Sequence, residues 1–324
     1  MPLNRQSFSS ATLVRLSAYG AFVIVILVFA VEARGFLSFI NIANVLQQSA
    51  IAGLLAFGLT LVVLGGGGNV VTGGIDLSVA ATLGLGAAVY ATLIAQGQSD
   101  LVAVGATLAV GVLVGIANGL AVVRLHILPL LATLAVGKIV SGLEFVLTQN
   151  SVVTATSPGL TWLAEIGPLD VPIMAWALVI ATVALLLLVQ VSPFGLRLHA
   201  VGAHPEAARA YGLPVGPLLF LSYVFSGLLS AAAGILLAAL LSGSSPGASE
   251  MLLPVVLAVL LGVVFSRRLV PTIGGTFLAV LFISILGNGF QLLNISSYWV
   301  NGVEGVLILF VVAWTTLSQR EAHA

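Results

Sequence analysis

Thr72-Gly73-Gly74-Ile75-Asp76-Leu77-Ser78 places a carboxylate between two long apolar segments, residues 41–64 and 77–95. Around this stretch the chain of 324 residues is 60% hydrophobic and 6% charged, with a mean hydropathy of +1.22. A water-soluble fold needs a polar surface around its core, and twenty charged residues cannot supply one for a chain this long. The chain therefore belongs in lipid. There an ionisable side chain is costly enough to be a functional candidate, and Asp76 is the first.

Bulk composition excludes several classes. Ten Lys/Arg balance ten Asp/Glu, so no basic surface points to nucleic acid. The absence of cysteine rules out disulfides, thiolate chemistry and cysteine-ligated metals. Four histidines (His126, His199, His204, His323) are scattered, without HExxH spacing. Arg5 and Arg15 precede an apolar run as in a secretory signal, but that run is the first of many and reads as a retained helix.

Ten segments meet or approach the ~20 apolar residues that a transmembrane helix needs. They are 17–32, 41–64, 77–95, 101–123, 127–148, 172–191, 216–240, 251–265, 271–293 and 298–317. Their apolar runs are continuous, which favours helices over the alternating strands of a barrel. With the N-terminus cytoplasmic, Arg5, Arg15, Arg124, Arg197, Arg209, Arg267, Arg268 and Arg320 face the cytoplasm and only Arg34 lies outside. That bias satisfies the positive-inside rule and supports an even number of spans. The fold class is thus an all-α membrane protein, one polytopic domain over 1–324 of about ten transmembrane helices, both termini cytoplasmic. Spans two to five and seven to ten run oppositely, which permits an inverted repeat of helices 2–5 and 7–10.

Two connections stand out. Residues 149–171 read as a periplasmic loop rich in Ser, Thr and Pro, with Trp162 suited to an interface or a docking partner. Residues 192–215 read as a cytoplasmic loop. Within it Pro205 suits a first helical turn, Glu206 complements its positive end, and Gly212-Leu213-Pro214 stops it, giving a helix of about two turns. Small residues recur every fourth position at Gly111, Gly115 and Gly119 and at Ser226, Ser230 and Gly234, a pattern for close helix packing, within one subunit rather than at a dimer seam.

No nucleotide motif is legible: the single lysine, Lys138, is followed by Ile139, and Gly65–Gly68 lacks the GxGxxG or GxxxxGK[ST] context. The glycine run reads as a helix break. Gly73-Gly74 reads as a second break before a new helix start, whose amides Asp76 can cap; solute contact is the compatible alternative. Lys138 lies near mid-span, where a lipid-facing charge costs ~2.5–3.5 kcal/mol, so an ion pair with Glu304 or Glu144 is expected, with a proton relay as the sharper alternative. Asn118, Asn288, Gln291 and Asn301 could hydrogen-bond a hydroxylated solute or a neighbouring helix. Candidate path or gate residues are therefore Gly73, Gly74, Asp76, Ser78, Asn118, Asn288 and Gln291.

At TGGIDLS the chain resembles the permease subunits of bacterial ABC sugar importers of the ribose, xylose and galactose kind. The resemblance continues through GIANGLAVVRLHILPLLATL from Gly115, through Val201-Gly202 to Arg209 and Gly212, and through 222–240, covering most of 41–317. Departures are GGGGNVV (65–71), Arg267-Arg268 where glycines are usual, and Glu304 where a basic residue is frequent. The resemblance implies a dimeric pore, paired with itself or a homologue, in the inner membrane of a bacterium. It further implies no cofactor in this chain, ATP and Mg being bound by cytoplasmic partner subunits, and a periplasmic solute-binding protein for delivery. Gly202, Glu206, Ala207, Ala208, Arg209 and Gly212 would then form the coupling surface for the ATPases, and a monosaccharide would cross by alternating access. The alternatives are an ion-coupled secondary transporter and a permease for a nucleoside or furanosyl signalling molecule.

Overall fold

The computed structural model describes residues 10–67, 73–266, 270–296 and 298–309. Thr72, residues 68–71 of the glycine-rich insertion, Arg5, Arg267, Arg268, Arg320, His323 and the end of the tenth span at 310–317 lie outside the described residues. Thirteen helices are described: α1 Ser10–Glu32, α2 Phe39–Gly66, α3 Val79–Ala95, α4 Asp100–Gly119, α5 Pro129–Thr148, α6 Pro158–Ala164, α7 Ile173–Gln190, α8 Pro193–Ala203, α9 Pro205–Ala210, α10 Val215–Leu241, α11 Leu252–Phe265, α12 Ile273–Leu292 and α13 Tyr298–Leu309. Seven of the stretches are long and apolar enough to cross a membrane, and α3, α11 and α13 are shorter apolar helices, so all ten expected segments are helical where described. α4 runs on as a π-helical turn, Leu120–Arg124.

α2 is the central helix, buried over most of its length and packed by α7, α10, α11 and α12. α10 in turn lies against α2, α3 and α4. Each first helix of the two expected halves is thus lodged among helices of the other half, the exchange that an inverted repeat produces. Small residues allow it. A Cβ on Gly111 would meet the Gly227 carbonyl, one on Gly115 would lie 2.6 Å from the Val224 Cα, and one on Gly234 would lie 2.7 Å from the Leu83 carbonyl oxygen. The two small-residue stripes therefore seat α4 and α3 against α10 inside one chain. α1 clips onto this bundle through rings: Phe22 packs edge-on against Phe282 at 5.6 Å and Phe29 against Phe290 at 5.8 Å.

The bundle has two chemically distinct ends. At one end α4's π turn meets the start of α10, a Cβ on Gly216 lying 3.2 Å from Val123, and α8 meets the end of α2. Arg124, Arg197 and Arg209 belong to this end. The expected loop 192–215 is in fact two helices, because Ser192 caps α8 by accepting from the Gly195 amide and Pro193 pre-sets its first turn. The polar Arg197 and His199 had masked an apolar inner side made by Leu198 and Val201. At the other end the segment 149–171 forms β1, Val153–Thr154, paired antiparallel with β2, Gly243–Ser244, and then α6 with Trp162 exposed. Asp100 holds it in place: its carboxylate accepts from Ser157 Oγ (2.5 Å), Tyr90 Oη (2.6 Å) and the Gly159 amide (3.1 Å).

Candidate functional site

α2 stops where Gly67 turns to φ +84°, outside helical space. When the chain is next described, at Gly73, it is running back along the helix it has just left. A Cβ on Gly74 would collide with the Val62 carbonyl and lie 2.9 Å from the Gly66 Cα, so only glycine permits this approach. Residues 73–78 therefore form an irregular segment, ending in a turn at Leu77-Ser78, folded against the last turns of α2, and α3 starts only at Val79, well inside the bundle. Its 17 residues span ~25 Å, less than the ~30 Å hydrocarbon layer. Irregular backbone at such depth must be enclosed by protein. Gly73, Gly74, Ile75, Asp76 and Ser78 are all buried.

Asp76 is fully buried and has four hydrogen-bond donors. Its Oδ1 accepts from the Ser78 amide (2.9 Å), from Ser78 Oγ (2.6 Å) and, at 3.4 Å, from Asn118 Nδ2 on α4. Its Oδ2 accepts from Ser226 Oγ on α10 at 2.7 Å. Asn118 Nδ2 also donates to Ser78 Oγ at 2.7 Å, while Asn118 Oδ1 is buried without a partner. Tyr223 Oη donates to the Ile75 carbonyl (3.3 Å), and the Leu77 amide donates to Thr133 Oγ1 on α5 (3.1 Å). One carboxylate thus ties the entry of α3 to α4 and α10, with α5 bracing the same segment. Asp76 receives the amide of Ser78, immediately before α3, while the first amides of α3 itself have no side-chain cap.

The other candidates are dispersed. Asn288 lies on α12 in a reciprocal pair with Asn41 of α2, each Nδ2 donating to the other's Oδ1 at 2.9 and 2.8 Å. Gln291 and Asn301 are exposed. Lys138 forms no ion pair with Glu144 or Glu304, contrary to expectation; among the described residues Arg209–Glu206, at 2.6 Å, is the ion pair formed. Lys138 and Glu144 are six residues apart on α5, so at ~100° per residue they project from different faces. Lys138 is exposed, while Glu144 and Glu304 are buried, each with one unpartnered carboxylate oxygen.

Of the expected coupling residues, Glu206, Ala207, Arg209 and Gly212 are exposed on or just beyond α9. Ala208 faces inward, and Gly202 packs beneath α2: a Cβ there would collide with the Leu64 carbonyl. Tyr211, which the sequence reading passed over, projects beside them at 88% exposure. Residues 202–212 therefore combine an exposed knob with a direct backbone contact to the end of α2 at Leu64, two residues from the positions Val62 and Gly66 on which Gly74 packs. Ser226, Tyr223 and Thr133 were also missed as partners of the Asp76 segment, although Ser226 was visible as one of the small residues on α10.

Residues 41–312 match the family described as branched-chain amino acid transport system / permease component. The chain belongs to this family. It is 37% identical over 296 residues to the ribose import permease RbsC of Bacillus subtilis, covering 90% of this chain and 89% of the relative. It is 32% identical over 313 residues to the ribose import permease of Escherichia coli K12, covering 95% of both, and 27% identical to that strain's galactose/methyl galactoside import permease MglC, covering 97% of both. An inward-facing metal-chelate type ABC transporter shares the fold at a TM-score of 0.55 and 16% identity, covering 93% of this chain and 99% of its own.

Proposed function

We propose that this chain is the membrane-spanning permease subunit of an ATP-binding-cassette importer that moves a monosaccharide, a pentose or hexose, across the inner membrane of a bacterium. The observation that carries the reading is the direct seat of α8, which leads straight into the exposed α9, on the end of α2. It gives a mechanical route from an exposed helix pair to the segment 73–78 around the buried Asp76, and the sugar-import names of the relatives supply the solute class. The arginine-bearing end faces the cytoplasm, as the positive-inside rule requires, and both termini lie there. Cytoplasmic ATP-binding subunits, which hold ATP and Mg, grip Glu206, Ala207, Arg209, Tyr211 and Gly212. A periplasmic binding protein delivers the solute at the end formed by β1, β2 and α6, and a second permease copy or homologue completes the pore.

In this mechanism, closure of the ATPases pushes α9, and Gly202 passes the displacement to α2 and to the segment lying on it. Rigid elements in direct backbone contact are suited to passing on such a shift. Purification of the complex from native membranes in mild detergent tests the docking. A stoichiometric ATPase is expected with the wild-type chain. It should be lost, with uptake reduced at least 10-fold and membrane insertion normal, in an Ala207→Trp Gly212→Val double variant. Uptake that survives this substitution would remove α9 from the coupling route.

A further inference from the structure

Lys138 sits nine residues after the start of α5 and ten before its end, roughly 14 Å from either. At that depth, in a hydrocarbon layer ~30 Å thick, its stem is too short to carry the ammonium to a headgroup layer. Within this chain it has no acidic partner among the described residues, since Glu144 points from another face of α5 and Glu304 is buried. Leu134, Ala135, Ile139 and Gly142 around it are likewise exposed, and a Cβ added at Gly142, one turn on, would meet nothing within 4 Å. The opposite face of α5 is the one that braces the Asp76 segment, through Thr133 and through Gly137, whose Cβ would lie 3.3 Å from the Ser78 Cα. An ammonium at mid-depth that neither pairs within its own chain nor reaches the surface is costly against lipid and belongs facing protein or a water-filled cavity.

We propose that the exposed face of α5 lines a water-filled solute path at mid-membrane, in which Lys138 donates hydrogen bonds to the hydroxyl groups of the passing solute. The assignment deepens the importer reading and rests on it for the solute class. An ammonium has three donors on a flexible stem, a form suited to a polyol whose hydroxyls change orientation as it moves. Lys138 is then a specificity-determining residue, and Gly142 leaves room for the ring beside it.

The absence of cysteine from this chain makes the test clean. Lys138→Cys and, as a lipid-facing control, Ile24→Cys on the exposed side of α1 are introduced separately into the assembled transporter in proteoliposomes. Each is treated with a charged, membrane-impermeant methanethiosulfonate, which reacts with thiolate in water. The proposal expects modification at position 138 at least 10-fold faster than at position 24, and slowed several-fold by ribose. Equal rates, or a reaction at position 138 that ribose leaves unchanged, would overturn the path. For the donor role, Lys138→Gln should keep uptake within about 3-fold of wild type. Lys138→Leu should lose it at least 10-fold with unchanged thermal stability, and full uptake by the leucine variant would overturn the role. Labelling requires no ATP, so a fast, ribose-sensitive reaction in a transporter that proves independent of ATP would uphold the path while refuting the importer reading.

Discussion

Asp76→Ala is expected to lower the thermal midpoint of the purified protein by about 5–15 °C and to reduce uptake at least 100-fold. The substitution leaves the Ser78 amide, Ser78 Oγ, Asn118 Nδ2 and Ser226 Oγ without their common acceptor, in a place that water does not reach. Hydrogen bonds between polar groups in membranes contribute about 0.6–2 kcal/mol each, so the two local bonds from Ser78 and the two from Asn118 and Ser226 together come to about 2–8 kcal/mol. That range corresponds to a midpoint shift of several degrees or more for a chain of this size. The loss of uptake exceeds what instability alone gives, because the start of α3 is no longer pinned to α4 and α10. Asp76→Asn should behave differently. Its amide oxygen still accepts from Ser78, and the Ser226 hydroxyl can turn from donor to acceptor. Uptake within about 10-fold of wild type, and a midpoint within about 3 °C, are therefore expected. Thermal denaturation in detergent and vesicle uptake decide the matter; an Asn variant as dead as the Ala variant would mean that the charge itself is used.

The second large effect is expected at Gly202→Val. A side chain there would drive into the Leu64 carbonyl, and neither helix end can yield without breaking its own backbone hydrogen bonds. α8 must tilt away from α2, severing the route between the exposed knob and the segment 73–78. Uptake should fall at least 100-fold while the ATPase remains bound and hydrolyses ATP, since Glu206, Ala207 and Tyr211 are untouched. Ala200→Val, at an exposed position of the same helix, should change uptake less than 3-fold and serves as the control. Parallel measurement of ATP hydrolysis and uptake checks the separation. Uptake retained in the Gly202 variant would show that the displacement travels by another path.

Much of this arrangement was legible in the residues. The ten spans follow from run length alone, since a segment that must cross hydrocarbon is apolar on every side and needs no partner to be recognised. The glycines before Asp76 announced a break, and the pair Pro205 and Gly212 announced α9. α8 was missed because its polar Arg197 and His199 look like loop until Leu198 and Val201 are seen to face α2. The Lys138–Glu144 pairing failed for a reason the sequence already contained, the angular offset of two positions six apart on a helix. The partners of Asp76 were a different matter. Ser226 lies 150 residues away, and nothing in a serine distinguishes a donor to a carboxylate from a small residue placed for packing. That contact exists only because α10 crosses the other half of the bundle at the level where α3 begins.

The central claim is that partner ATPases drive this chain through α8 and α9, and energised uptake tests it most directly. The complex purified from native membranes would be reconstituted into proteoliposomes with its binding protein and labelled ribose on one side and ATP with Mg on the other. The account predicts accumulation that requires ATP, survives an uncoupler and is absent in the Gly202→Val variant. Accumulation by this chain alone, without ATP and abolished by the uncoupler, would contradict it and make the protein an ion-coupled transporter.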